Sequence, residues 1–298
     1  MTGFPEVSLP SVRTQQAIAA TAVAGFFGVW FWFRRSRSVS TPIVPDSLRS
    51  GSPSNEITLI GFPRVSDVVS SCSPYVAKVE AWLRFVRLPY TRTNGGPNDS
   101  PKGQLPVIWH GKNTVADSYF IIKYLERTYS DVIPQLSAEQ EALSVAIQHL
   151  VDDCLMRGLA YHRWVQPQGF EGVKKHYMKG VREPLRTMLL QQNVRTSVQD
   201  ALLKQGLGRH SERDINLMMD EGLAALSAIL GDKRYLLGGQ PCVADASAFG
   251  FLDNVFFDTD CLNPGLREIA QQYDNLVAYT ERIRSTYFEG ELQWEETY

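Results

Sequence analysis

Short β-branched strands and one-faced helices alternate between Ile57 and Tyr129, in an order that few folds accept. Ile57-Thr58-Leu59-Ile60-Gly61-Phe62 reads as a strand stopped by Pro63. Ser73-Pro74 opens a helix, since proline in a first turn lacks only an N–H that would have no helical partner. Val76, Val79, Leu83 and Val86 then share one 3.6-period face, with Lys78, Glu80, Arg84 and Arg87 mostly elsewhere. A second strand near residues 90–93 runs into the turn-rich Gly95-Gly96-Pro97-Asn98-Asp99-Ser100-Pro101. Leu105-Pro106-Val107-Ile108-Trp109 and Asn113-Thr114-Val115 form a hairpin turning at His110-Gly111-Lys112. A helix over 118–129, with Ile121, Ile122 and Leu125 inward, completes the order β-α-β-loop-β-β-α.

Ahead of this folded part lies a run without a single charge, from Thr14 to Phe33, ending in Phe26-Phe27-Gly28-Val29-Trp30-Phe31-Trp32-Phe33. As a helix it would reach roughly 30 Å, one hydrocarbon core. Trp30 and Trp32 stand beside Arg34, Arg35 and Arg37, the aromatic-then-basic order of a membrane interface. Arginines follow the apolar run at once, where a cleaved signal would place small residues. The run predicts a single transmembrane helix over 14–33, after a short tail over 1–13. Arg13 is the only basic residue before it, so the excess of arginine behind it puts the C-terminal part in the cytosol. Residues 34–55 are rich in Ser and Pro and read as a tether.

Of the 298 residues, 30 are Lys or Arg and 32 are Asp or Glu, a formal net charge of −2 that argues against a nucleic-acid-coating protein. Cys72, Cys154, Cys242 and Cys261 make no C-x-x-C pair, and the five histidines have no ligand spacing, so no metal is expected. Beyond the α/β segment the pattern turns helical. Ser137 and Gln140 suggest a capping box ahead of Leu143, Ile147, Leu150 and Val151. Further helical periods cover 174–192, 198–204, 212–230 and 266–287. Tyr161, Arg163, Trp164, Lys174, Lys175 and Tyr177 could line a pocket, although such residues more often form core and solvated face.

Leu105-Pro106-Val107 followed by Ala116-Asp117-Ser118 resembles the thioredoxin-like domain of glutathione transferases. Ser71-Cys72-Ser73-Pro74-Tyr75-Val76-Ala77-Lys78, Ser100-Pro101-Lys102-Gly103-Gln104-Leu105-Pro106 and Gln205-Gly206-Leu207-Gly208-Arg209-His210-Ser211 resemble, more narrowly, the failed-axon-connections proteins, relatives of the metaxins. The resemblance implies an α/β thioredoxin-like domain over 56–131 and an all-α glutathione transferase C-terminal-like domain over 137–288, with a tail at 289–298. Gly238-Gly239-Gln240-Pro241-Cys242-Val243-Ala244-Asp245 resembles the capping motif before the family's central helix, with Cys242 where Ser or Thr is usual.

For function, the resemblance implies glutathione as ligand and substrate. Leu105 would lend its backbone to the cysteinyl part, next to a cis Pro106. Asp117 and Ser118 would receive the γ-glutamyl carboxylate at a helix start, with Tyr75 and Gln104 also at the site. Without the resemblance, Asp117 or Ser118 is simply an N-cap. Ser73 stands where the family stabilises the glutathione thiolate, the nucleophile of the reaction. Cys72, one residue earlier, offers a mixed disulfide instead. Two functions are carried forward. One is a membrane-anchored, cytosol-facing glutathione transferase-like protein that conjugates small electrophiles or transfers thiols. The other is a catalytically inactive module for a protein partner or a dimer, on the mitochondrial outer membrane or the endoplasmic reticulum.

Overall fold

The structure, a computed structural model, describes residues 56–62, 71–176, 185–256, 263–288 and 296–297. The expected anchor and tether, 14–33 and 34–55, lie outside the described residues. No helix among the described residues is long and apolar enough to cross a membrane.

β1 (Ile57–Gly61) runs parallel to β2 (Tyr90–Asn94) and antiparallel to β3 (Val107–His110), which turns into β4 (Asn113–Ala116). α1 (Pro74–Phe85) crosses between the two parallel strands, and α2 (Ser118–Thr128) follows β4 with Ile121, Ile122 and Leu125 buried. The order is the one the sequence predicts. Only a 3-10 turn at Pro97–Asp99 interrupts the loop between β2 and β3. Residues 289–298, expected as a tail, return one short strand: β5 (Glu296–Thr297) pairs with β2, giving the sheet order β4-β3-β1-β2-β5.

The helical part starts at α3 (Ala138–His149), where the capping box forms as expected: Ser137 Oγ accepts from Gln140 N at 3.2 Å, and Gln140 Oε1 accepts from Ser137 N at 3.0 Å. Two π-helical segments, Leu150–Leu155 and Tyr161–Val165, flank α4 (Met156–Ala160), so one helical path runs from Ala138 to Val165. Then come α5 (Pro167–His176), α6 (Leu185–Leu189), a π-helical Leu190–Arg195, α7 (Thr196–Gln205) and α8 (Glu212–Leu230). α9 (Val243–Phe256), α10 (Pro264–Ala270) and α11 (Asp274–Tyr287) complete the fold. The single helix expected over 266–287 is thus two. The break is pinned to α8 by Tyr273, whose hydroxyl donates to Asp220 Oδ1 at 2.7 Å.

α1 departs from the one-faced pattern. Lys78, Glu80 and Arg84 are as buried as Val76, Val79 and Leu83, because α9 packs along the helix as well as the sheet. Gly250 of α9 permits the approach, for a Cβ there would sit 2.5 Å from the Pro74 carbonyl. Burying these charges is tolerable only when they are paired. Lys78 meets Asp152, and Glu80 meets Arg84 at 3.1 Å and accepts from the Tyr90 hydroxyl at 2.9 Å. Arg84 also donates to the Tyr287 carbonyl at 2.8 Å, tying the α/β part to the end of α11. One continuous apolar core runs from Leu59 and Val79 through Phe249 and Phe251 to Tyr279.

Candidate functional site

A groove of about 710 Å³ opens where α1, β3 and α2 begin, and the helical path of α3 forms its far wall. Ser73, Tyr75, Gln104, Leu105, Pro106, Asp117 and Ser118 all line it, seven of the eight residues singled out from the sequence. Cys72 does not line it. Its side chain is buried, and its carbonyl accepts from Arg163 Nη1 at 2.7 Å.

Ser73 is the N-cap of α1, with extended backbone and Oγ accepting from Val76 N at a long 3.4 Å. Among the described residues its hydroxyl donates to no acceptor, so its proton is available to a ligand in the groove. The Leu105–Pro106 bond is cis, as the resemblance implies. Leu105 N–H and C=O have no backbone partner among the described residues, since the β3 ladder starts only at Val107.

Asp117 caps α2 in an unusual conformation. Its φ of 84° is one an L residue adopts at a cost of about 1–3 kcal/mol, a cost met most often at ligand sites. The surroundings hold it there: Asp117 N donates to the Pro106 carbonyl at 3.2 Å, and its Oδ1 accepts from Tyr119 N at 3.0 Å. Ser118 follows, buried, and its N–H and hydroxyl have no protein partner among the described residues. A helix start with an open N–H is an anion site in waiting. Lys102 stands 3.9 Å from Asp117 and over the Phe120 ring at 4.3 Å, adding a positive charge at the mouth.

The far wall was not singled out by the sequence. Val145, Gln148, His149, Asp152, Asp153 and Arg157 present one face of the α3–α4 path to the groove. Burial pushes the Asp152 carboxyl up from the ordinary carboxylate range, and the buried Lys78 ammonium beside it pulls part of the way back. Asp153 is held below that range by hydrogen bonds from His149 at 2.7 Å and Arg157 at 3.3 Å. Tyr75, on the exposed lining of the groove, is pushed up to about 12 by desolvation of its phenol and then by the Asp152 charge, and stays a neutral phenol at physiological pH. The 3-to-4 spacing of these polar residues was the available signal. It reads equally as a solvated helix face.

The pocket weighed around Tyr161, Arg163, Trp164, Lys174 and Lys175 does not form part of this groove. Trp164 packs against Phe170 and Val173, and Arg163 is buried behind Cys72, the core role that such residues usually have. Tyr177 lies outside the described residues. Arg209 ends a 3-10 turn at Leu207–Arg209 and does not reach the groove. A second cavity of about 380 Å³ lies between α1, the loop after α2 and Cys242.

Together these features define a thioredoxin-like α/β unit joined to a helical unit, with an anion-ready groove at their seam. The family model for the glutathione S-transferase N-terminal domain matches residues 74–169, and that for the C-terminal domain matches 219–283. The chain is 30% identical over 227 residues to isoprene-epoxide–glutathione S-transferase of Rhodococcus sp. (strain AD45), covering 74% of this chain and 94% of that protein. It is 28% identical to failed axon connections of Drosophila melanogaster over 78% of this chain, but spans only 58% of that longer protein. Human metaxin-2 is 28% identical over 71% of this chain and 81% of its own. Among solved structures, a glutathione transferase of Phanerochaete chrysosporium superposes with a TM-score of 0.55 at 18% identity, over 79% of this chain and 99% of the other. A glutathione S-transferase of Ceriporiopsis subvermispora in complex with glutathione gives 0.55 at 17% identity, over 80% and 100%. The chain belongs to the glutathione transferase family, and failed axon connections and metaxin-2 are among its relatives.

Proposed function

We propose that the protein binds glutathione in this groove and conjugates it to small electrophiles on the cytosolic face of a membrane. One observation carries the reading: Ser73, the cis Leu105–Pro106 step and Asp117–Ser118, far apart in sequence, line a single groove. The γ-glutamyl carboxylate is held at the start of α2 by Ser118, and the Leu105 backbone pairs with the cysteinyl part. The Ser73 hydroxyl donates to the sulfur. That bond favours the thiolate as its proton leaves to water, and the sulfur then forms an S–C bond while the electrophile's leaving group or ring oxygen departs with its electron pair. The Rhodococcus relative, by its name, acts on an epoxide and glutathione, and supports this class of reaction. Cys72 is the weaker candidate for thiol transfer, because its side chain is buried away from the groove. The anchor over 14–33 rests on the sequence alone. A chain released from membranes by carbonate would contradict it.

A second reading is favoured by one feature. The stretch over 95–101, where the family has a helix that contacts glutathione, is a loop with a single 3-10 turn. In that reading the groove is silent and the protein is a partner-binding module. The full chain in mild detergent separates the two. Retention on immobilised glutathione and release by the free tripeptide support the first. No heat of binding at millimolar glutathione supports the second.

A further inference from the structure

The helical path from Ala138 to Val165 carries two π-helical segments, and each sends a charged side chain to the beginning of α1. Asp152, in Leu150–Leu155, meets Lys78 in the second turn. Arg163, in Tyr161–Val165, reaches the loop just before the helix. A π-turn advances every later side chain by one extra residue, about 100° of helix face. The first insertion therefore sets the side from which Arg163, further along the path, leaves it.

Arg163 is 3% exposed and lies behind the loop. Its Nη1 donates to the Cys72 carbonyl at 2.7 Å, and Nη2 donates to Asn254 Oδ1 at 3.2 Å and Asn263 Oδ1 at 3.4 Å. Asn254 in turn donates to the Ser71 carbonyl at 3.0 Å, and Ser71 Oγ accepts from Ser73 N at 3.2 Å. Each peptide group from Ser71 to Ser73 is therefore fixed from the buried side, while the Ser73 side chain faces the groove.

We propose that Arg163 is a positioning residue for Ser73, holding the Cys72–Ser73 peptide at the tilt that directs the serine hydroxyl to the sulfur of a bound thiol. The proposal rests on the glutathione reading above. Direction matters because a hydrogen bond weakens steeply once its angle falls below ~120°. A small rotation of this peptide would leave the fold intact and still lose the bond to sulfur. Guanidinium suits the task, since its planar fork spans two or three oxygens in fixed geometry; an ammonium keeps the charge and loses the fork.

The test uses the full chain in detergent, with the wild type, Arg163→Lys and Asn254→Ala. Binding of S-methylglutathione, which has no ionisable thiol, reports the site. The ultraviolet thiolate absorbance of bound glutathione against pH reports the hydroxyl's aim. The expected result is that Arg163→Lys binds S-methylglutathione within about twofold of wild type, while the thiolate fraction at neutral pH falls about tenfold, one unit in pKa. The loss should appear in kcat more than in KM. Asn254→Ala, which removes one strut, should shift the profile the same way by less. A wild-type pH profile in whichever of the two variants folds overturns the proposal. Failure of the wild type to bind S-methylglutathione overturns the glutathione reading instead, and the proposal with it.

Discussion

α1 and α9 lie against each other, and both start with the same difficulty, a set of backbone N–H groups that no preceding turn can satisfy. At α9 one of these donors, Cys242 N at the N-cap, is taken by the Asp245 carboxylate, which also ties the helix start into the core. Asp245 Oδ1 accepts from Leu236 N and the Tyr279 hydroxyl, both at 2.8 Å, and Oδ2 accepts from Cys242 N at 2.9 Å, in the middle of the core. At α1 the cap is a half-buried serine with one long bond, and it opens on the groove. A buried carboxylate thus fixes one helix start to the core, while the other keeps a hydroxyl proton that faces the groove.

Four substitutions would break or sharpen that contrast. Asp245→Ala should have the largest effect. It strands two backbone N–H groups and a tyrosine hydroxyl in the core, at about 1–3 kcal/mol each, a large share of a typical 5–15 kcal/mol stability. Little soluble chain, or an unfolding free energy in urea lowered by about 3 kcal/mol or more, is expected; a loss below about 1 kcal/mol would mean the sealed end is not what holds α9.

Ser73→Ala should cost only about 0.5–1 kcal/mol of stability, as an exposed-side cap does, yet lower conjugation of an epoxide by at least about tenfold. Equal activity in the mutant, with Cys72→Ser also active, would make this turn structural. Ser118→Ala should weaken glutathione by roughly 1–2 kcal/mol in calorimetry, the worth of one hydrogen bond to a charged partner.

Cys242→Ser should change least, by less than about 1 kcal/mol. The thiol is pushed up to about 12 by burial and then by the Asp245 charge, so it is protonated at every physiological pH and donates to Asp245 Oδ2 at 3.2 Å. A hydroxyl can do the same, and can also accept. A thiol is a poor acceptor at an N-cap, and the carboxylate of Asp245, which takes Cys242 N, holds the turn in its place. Alkylation of Cys242 in the folded chain would contradict the sealed end.

The strands, α1, α2 and the hairpin are legible because each is a short run whose period, Gly/Pro stops and caps agree. So are the capping boxes at Ser137 and, through the family motif, Asp245. The burial of Lys78, Glu80 and Arg84 is not legible, since a charge at a helical position looks solvated until a second helix covers it. The far wall fails for a related reason. His149, Asp152, Asp153 and Arg157 follow the 3-to-4 spacing of any polar helix face, and only the fold shows that this face lines a groove rather than open solvent. Arg163 stands out in the sequence only through its aromatic neighbours, because its three oxygen partners come from positions 91 to 100 residues away.

Gly250 brings a mechanical consequence. With no Cβ between α9 and the first turns of α1, the helix that carries Ser73 is clasped by the unit that carries the far wall, and Lys78 to Asp152 rivets the two together. These two contacts join the walls of the groove. Its gap is a fixed gauge set at folding, so an acceptor is chosen by whether it passes that gauge rather than by the energy it returns on closing a lid. A methyl at this position, by wedging the helices apart, would change which molecules fit before it changed how any of them react.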